Sequence, residues 1–105
     1  LFVEESYNKI GVNNLIIFAI YSLTKNKEKC TFEKIVKECF SLFKKTFSFP
    51  TLPQWPDSRK LDRPLRSLRK EKLIVGNPQK TFSLTKNGKK IAEDVSRILS
   101  QEKLI

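Results

Sequence analysis

Residues 57–92 read DSRKLDRPLRSLRKEKLIVGNPQKTFSLTKNGKKIA, and this stretch decides the fold. At about 100° per residue, Leu61, Leu65, Leu68 and Lys72 align on one side of a helix. Arg59, Arg63, Arg66 and Lys70 fall within about 40° of the opposite pole, with Lys60 and Arg69 on either flank. Asp57 or Ser58 is placed to cap the first turn. Pro64 lacks an amide hydrogen and collides with the carbonyl of Lys60, at a cost of about 3 kcal/mol inside a helix. Either the rod bends there, or the helix starts near Asp62 and Pro64 sits harmlessly in its first turn. Leu73, Ile74 and Val75 predict a short strand. Gly76, Asn77, Pro78 and Gln79 are turn chemistry. Thr81, Phe82, Ser83 and Leu84 alternate as a return strand. Thr85 then caps a last helix, with Ile91, Val95, Ile98 and Ile105 on one face and Ala92 and Leu99 widening it. Spacings of three, four and seven also suit a seam that pairs two chains.

Upstream, Phe32, Ile35, Val36, Cys39, Phe40 and Phe43 recur at helical steps behind Thr31, a good N-cap, with Glu33 in the first turn. A short extended piece, Glu28 to Cys30, precedes them, after a polar turn at Lys25, Asn26 and Lys27. Leu15 to Leu23 is apolar nearly all round and reads as a central buried helix, capped by Asn13 or Asn14. Residues 1–12 are expected as an arm or a short helix. Between the amphipathic and the basic helix lies a Pro- and aromatic-rich segment, Thr46 to Pro56. Its prolines exclude a helix interior. Phe47, Phe49 and Trp55 predict an ordered loop, either stapled onto the core or offered to a partner.

The 105 residues make one domain, with a core of residues 13–85 and a last helix over 86–105. There is no Met, so the chain is expected to lack its natural start and to suit one domain of a longer protein. The opening residues, with Glu4 and Glu5, do not read as a secretory signal. The longest apolar run, Leu15 to Tyr21, falls short of the roughly 20 residues a membrane span needs. The net charge is +10. Lys44 to Lys90 holds 13 basic and 3 acidic residues, whereas the rest of the chain balances at 8 of each. Such a segment favours a polyanionic partner. The chain has no His and only two Cys, Cys30 and Cys39. That removes imidazole–nucleophile pairs and a four-ligand zinc site, and the thiol spacing fits no redox motif. Three Gly build no phosphate-cradling loop. An enzyme is not expected, and no metal or cofactor is assigned.

The order of helix, extended piece, helix, loop, basic helix, hairpin and helix resembles the winged helix-turn-helix fold of prokaryotic transcription regulators such as the MarR and PadR groups. The resemblance is carried by Leu61, Asp62, Arg63, Leu65, Leu68 and Arg69. It continues through Lys72, Leu73 and Ile74 and the closing run Phe82, Ser83, Leu84, Thr85, Gly88 and Ala92. It implies a mainly α fold: a three-helix core, a small β-hairpin wing and a C-terminal helix. It further implies binding of double-stranded DNA, a role in transcription regulation, and a cytoplasmic, nucleoid-associated location. The basic helix would enter the major groove. Arg59, Lys60, Arg63, Arg66, Arg69 and Lys70 are then the contact candidates. Lys80 is expected at the wing, and Lys44 and Lys45 on the flanking backbone. The last helix is a candidate for homodimer formation. Two alternatives accompany this: a protein-interaction module using Phe47, Phe49 and Trp55, and RNA binding by stacking on the same aromatics. The chain departs from the family in two places. The usual three- to four-residue turn is replaced by about a dozen residues, and Pro64 interrupts the basic helix.

Overall fold

A computed structural model of the chain describes residues 2–77 and 79–103. The described residues are mainly helical, with one two-stranded hairpin. In chain order they form α1 (Glu4–Tyr7), α2 (Val12–Lys25), α3 (Phe32–Leu42), α4 (Lys44–Phe47), α5 (Arg59–Lys70), β1 (Ile74–Gly76), β2 (Phe82–Leu84) and α6 (Lys86–Lys103). No helix among them is long and apolar enough to cross a membrane.

Helix α2 is the central element, packed against α3, α5, β2 and α6. It buries Leu15, Ile16, Ile17, Ala19, Ile20 and Leu23, consistent with its apolar run. Each buried Leu or Ile contributes about 1.5–3 kcal/mol. That outweighs the roughly 1 kcal/mol of a missing cap, and α2 indeed has none. Gly11 holds the N-cap position without a side-chain bond, so neither Asn13 nor Asn14 caps it. Helix α3 begins as its sequence predicts, the Thr31 hydroxyl accepting from the Lys34 amide at 3.2 Å.

Helices α2 and α5 end in the same way. Lys27 and Lys72 take left-handed backbone angles, φ 59° and 61°. The Glu28 and Leu73 amides then reach back to the carbonyls of Leu23 and Leu68, each at 3.0 Å. This is the Schellman arrangement, with lysine where glycine is usual. The second of these turns aims the chain directly into β1.

Strands β1 and β2 pair antiparallel, with Ile74 opposite Leu84, Val75 opposite Ser83 and Gly76 opposite Phe82. Gly76 has φ 120°, and a Cβ there would meet the Thr81 carbonyl, so glycine is required. Ile74 and Phe82 face the core. The extended Glu28–Cys30 piece lies against this hairpin through one bond, Phe82 amide to Cys30 carbonyl at 2.9 Å. The hairpin is docked on α6 by Thr85. Its hydroxyl donates to the Lys72 and Leu73 carbonyls at 2.8 and 3.1 Å and accepts from the Gly88 amide at 3.1 Å.

Helix α6 turns a different face inward than its spacing suggests. Ala92, Val95 and Leu99 are buried, Ile91 is half-buried and Ile98 remains 45% exposed. Of the seam expected to pair two chains, Val95 is buried in the molecule's own core, where α6 lies along α2. Ile105 lies outside the described residues, as does Pro78 of the hairpin tip.

The N-terminal arm is anchored by aromatics. Phe43 is fully buried, and its ring meets those of Phe2, Tyr7, Phe18 and Phe47 at centroid distances of 5.7, 5.1, 6.1 and 6.4 Å. The Tyr7 hydroxyl accepts from the Lys45 amide at 3.1 Å. Burial raises its pKa, the Lys45 bond opposing.

Candidate nucleic-acid interface

Helix α5 runs unbroken from Arg59 to Lys70 with Pro64 inside it, so the later start at Asp62 does not occur. Its first turn is wound by three-residue steps: the Lys60 amide to Asp57 and the Leu61 amide to Ser58, both at 3.1 Å. Ser58 makes no side-chain cap. Asp57 does the capping, its Oδ1 accepting from the Arg59 amide at 3.1 Å. Leu61, Leu65 and Leu68 are buried, and this seam fixes which way the rest of the helix points. Arg63, Arg66, Arg69 and Lys70 are exposed.

The six cations of α5 are not equivalent. Arg63, Arg69 and Lys70 make no ion pair or side-chain hydrogen bond among the described residues. Arg66 pairs with Asp62 one turn back at 3.1 Å, with both side chains about two-thirds exposed. Such exposed pairs contribute roughly 0–1 kcal/mol and are screened by salt, so Arg66 can exchange Asp62 for a phosphate.

Arg59 is held differently. Its guanidinium meets both oxygens of Asp57, at 3.1 and 3.3 Å, and lies 5.1 Å from the Phe49 ring centroid. The Asp57 side chain is only 4% exposed. The bond from Arg59 holds the Asp57 carboxyl below its ordinary pKa, and the same bond raises that of Arg59. Arg59 thus closes the helix start while its own side chain stays 77% exposed.

Lys60 is engaged within the molecule as well. Its Nζ donates to the carbonyls of Thr46 and Ser48, both at 3.0 Å, so it fastens the preceding loop to α5. Lys44 and Lys45 are exposed, with Lys44 Nζ 5.7 Å from the Phe40 centroid. Lys45 and Lys60 line one cleft with Ser48, Phe49, Pro50 and Pro53. Arg66 and Arg69 line another with Phe32, Glu33, Asp62 and Leu65, between α3 and α5. Lys80 is exposed at the hairpin.

The loop from Ser48 to Pro56 is an ordered structure. Ser48 and Pro56 form an antiparallel bridge. The Asp57 amide donates to Phe47 at 2.8 Å, Phe49 to Trp55 at 3.0 Å, and Trp55 to Leu52 at 3.0 Å. Its aromatics separate. Phe47 is buried in the core and is unavailable to a partner, contrary to the expectation that grouped it with Trp55. Phe49 is half-buried under Arg59. Trp55 is 59% exposed and Leu52 49%.

Comparison with protein-family models, with curated proteins and with solved structures gives no match. What the chain does must be argued from its own surface. Among the described residues no group of three or more His, Cys, Asp and Glu side chains could hold a metal ion. Cys30 and Cys39 are free thiols, both buried, and burial pushes the Cys39 pKa well up. The sequence reading offers Asp57 as a cap but misses its pairing with Arg59 and the pairing of Asp62 with Arg66. The four-residue step from Asp62 to Arg66 is a visible signal for one of them. Leu52, the second exposed apolar group of the loop, was also missed.

Proposed function

We propose that this chain is a winged-helix module that binds double-stranded DNA, with α5 as the helix presented to the major groove. One observation carries the reading: the buried seam of Leu61, Leu65 and Leu68 leaves Arg63, Arg66, Arg69 and Lys70 exposed together on a single rod. The major groove, about 12 Å wide, admits such a rod. Arginine suits paired contacts to guanine O6 and N7, and lysine suits phosphate. The hairpin with Lys80 serves as the wing, and Lys44 and Lys45 add backbone contacts. Arg59 and Lys60 act by fixing the helix start rather than by touching DNA.

Phosphate neutralisation sets the scale. The four exposed cations of α5 alone give a log–log salt slope near −3.6, about 150-fold in affinity for a random duplex between 50 and 200 mM salt, and each phosphate met by Lys44, Lys45 or Lys80 steepens it by about 0.9. Replacing Arg63 and Lys70 together by Ala flattens the slope by about two. Arg59→Ala leaves the slope nearly unchanged. A folded double variant with the parent's slope and affinity would refute the assignment.

A further inference from the structure

A loop this well braced has no structural reason to hold a large indole in water. The segment between Ser48 and Pro56 is pinned by the Ser48–Pro56 bridge, by the Lys60 ammonium on two carbonyls, and by Phe47 in the core. The turn Leu52–Pro53–Gln54–Trp55 closes through its own backbone bond. Proline at its second position fixes φ for such a turn. Within this rigid frame the two large apolar side chains, Leu52 and Trp55, remain largely exposed. Trp55 is thereby held ready rather than folded away.

The charge around it selects the ligand. Residues 46–56 contain no charged side chain. Their flanks carry Lys44, Lys45, Arg59 and Lys60, and the nearest acid in sequence, Asp57, is closed off by Arg59. Glu4 is the carboxylate on the neighbouring cleft, which it lines with Phe2, Tyr7, Lys44, Lys45, Ser48 and Pro53. An exposed apolar turn whose adjoining cleft, at Pro50 and Pro53, carries Lys45 and Lys60 suits a ligand that is flat and apolar in one part and anionic in the next. A single nucleic-acid strand has that chemistry, a base beside a phosphate. Proteins that hold such strands combine a basic groove with aromatic stacking platforms. The loop is also joined to the start of α5, through Lys60 on Thr46 and Ser48 and through Arg59 on Phe49.

We propose that Trp55, with Leu52 in the same turn and Lys45 on the cleft that adjoins the turn at Pro53, is a stacking platform for an unpaired base. The strand it takes extends from a duplex held by α5. This rests on the reading of α5 given above and narrows the target to duplexes with a single-stranded extension or an opened end.

Trp55 is the only tryptophan of the chain, so its fluorescence reports the platform alone. The probes are an oligothymidylate of about a dozen nucleotides, a blunt duplex, the same duplex with a single-stranded overhang, and an acidic peptide. Oligothymidylate and the overhang duplex are expected to quench Trp55, while the blunt duplex leaves it nearly unchanged. Trp55→Ala is expected to lower oligothymidylate affinity roughly tenfold, the low end of what base–aromatic stacking supplies, and to remove the preference for the overhang. Trp55→Phe retains most of both. Since the indole is largely exposed, the variants keep the parent's unfolding temperature. Saturating oligothymidylate that leaves the fluorescence unchanged, or unaltered affinity in Trp55→Ala, overturns the platform. Quenching by the peptide but not by the strand overturns it in favour of a protein partner. If the strand quenches but the blunt duplex does not bind, the platform stands and the groove-reading role of α5 falls. If the blunt duplex binds with a steep salt slope and the overhang adds nothing, α5 keeps its role and the platform falls.

Discussion

Gly88→Ala is a substitution for which helix propensity and tertiary packing predict opposite signs. Alanine is about 1 kcal/mol better than glycine inside a helix, so propensity predicts a more stable protein. The structure predicts a less stable one. A Cβ at Gly88 would sit 2.0 Å from the Leu73 carbonyl oxygen, a backbone atom that cannot swing aside. The start of α6 must retreat by about 1.4 Å to restore ordinary contact. That separation stretches the Thr85 amide and hydroxyl bonds to Leu73, both 3.1 Å, past hydrogen-bonding range. Two such bonds contribute about 2 kcal/mol, and a part-buried carbonyl left short of donors costs about 1 more. Set against the propensity gain, the net loss is about 2 kcal/mol, or roughly 10 °C in unfolding temperature for a domain of this size. Thermal unfolding followed by circular dichroism measures it. Gly11→Ala is the control, since nothing lies within 4 Å of a Cβ there, and it should stay within about 1 kcal/mol of the parent. A Gly88→Ala protein that melts at or above the parent temperature would refute the proposed docking of the hairpin on α6.

Further substitutions probe the contacts made by Lys60 and Asp57 within the molecule. Lys60→Met keeps the apolar stem but strips two carbonyls of their donor, and should lower stability by about 2 kcal/mol in urea unfolding. Lys70→Met, on an exposed side chain, should change it by less than about 0.5 kcal/mol; equal midpoints for the two would show that the Lys60 bonds contribute nothing. Asp57 has its carboxyl pKa lowered by the Arg59 bond, so its contribution is present above the unfolded value and lost as pH falls through the folded one. The stability gap between the parent and Asp57→Asn should be full at neutral pH and close below about pH 4. A gap that is constant with pH would contradict the ion pair.

Local sequence signals served well where one element decides its own structure. The Thr31 cap, the seam of Leu61, Leu65 and Leu68, and the Thr85 cap all depend on neighbours within a helical turn or two. The misjudged residues are those whose partners are distant in sequence or unusual in type. Lys60 reads as one more solvent-facing cation, because its acceptors lie 12 and 14 residues earlier and are backbone atoms with no sequence signature. Phe47 and Trp55 share a loop and a chemistry, yet one fills the core and the other faces water. Aromatic content predicts that such a loop is ordered, but not which ring it spends on order. The helix ends at Lys27 and Lys72 lack the glycine that normally marks them. In α6 the side that carries Ala92 and Leu99, rather than Ile98, is the one buried, and α6 packs on α2, a partner distant in sequence.

Lys60 also works as a key in a shaft. By gripping the carbonyls of Thr46 and Ser48 it denies α5 both axial sliding and rotation about its own axis, while the leucine seam holds the opposite side. The azimuth of Arg63, Arg66 and Lys70 is thus set before any ligand arrives. On the proposed reading of α5 as a groove-binding helix, accommodation would come from flexing of long side chains or from bending of the duplex, and such a surface would favour duplexes by their contour and stiffness as much as by the letters they carry.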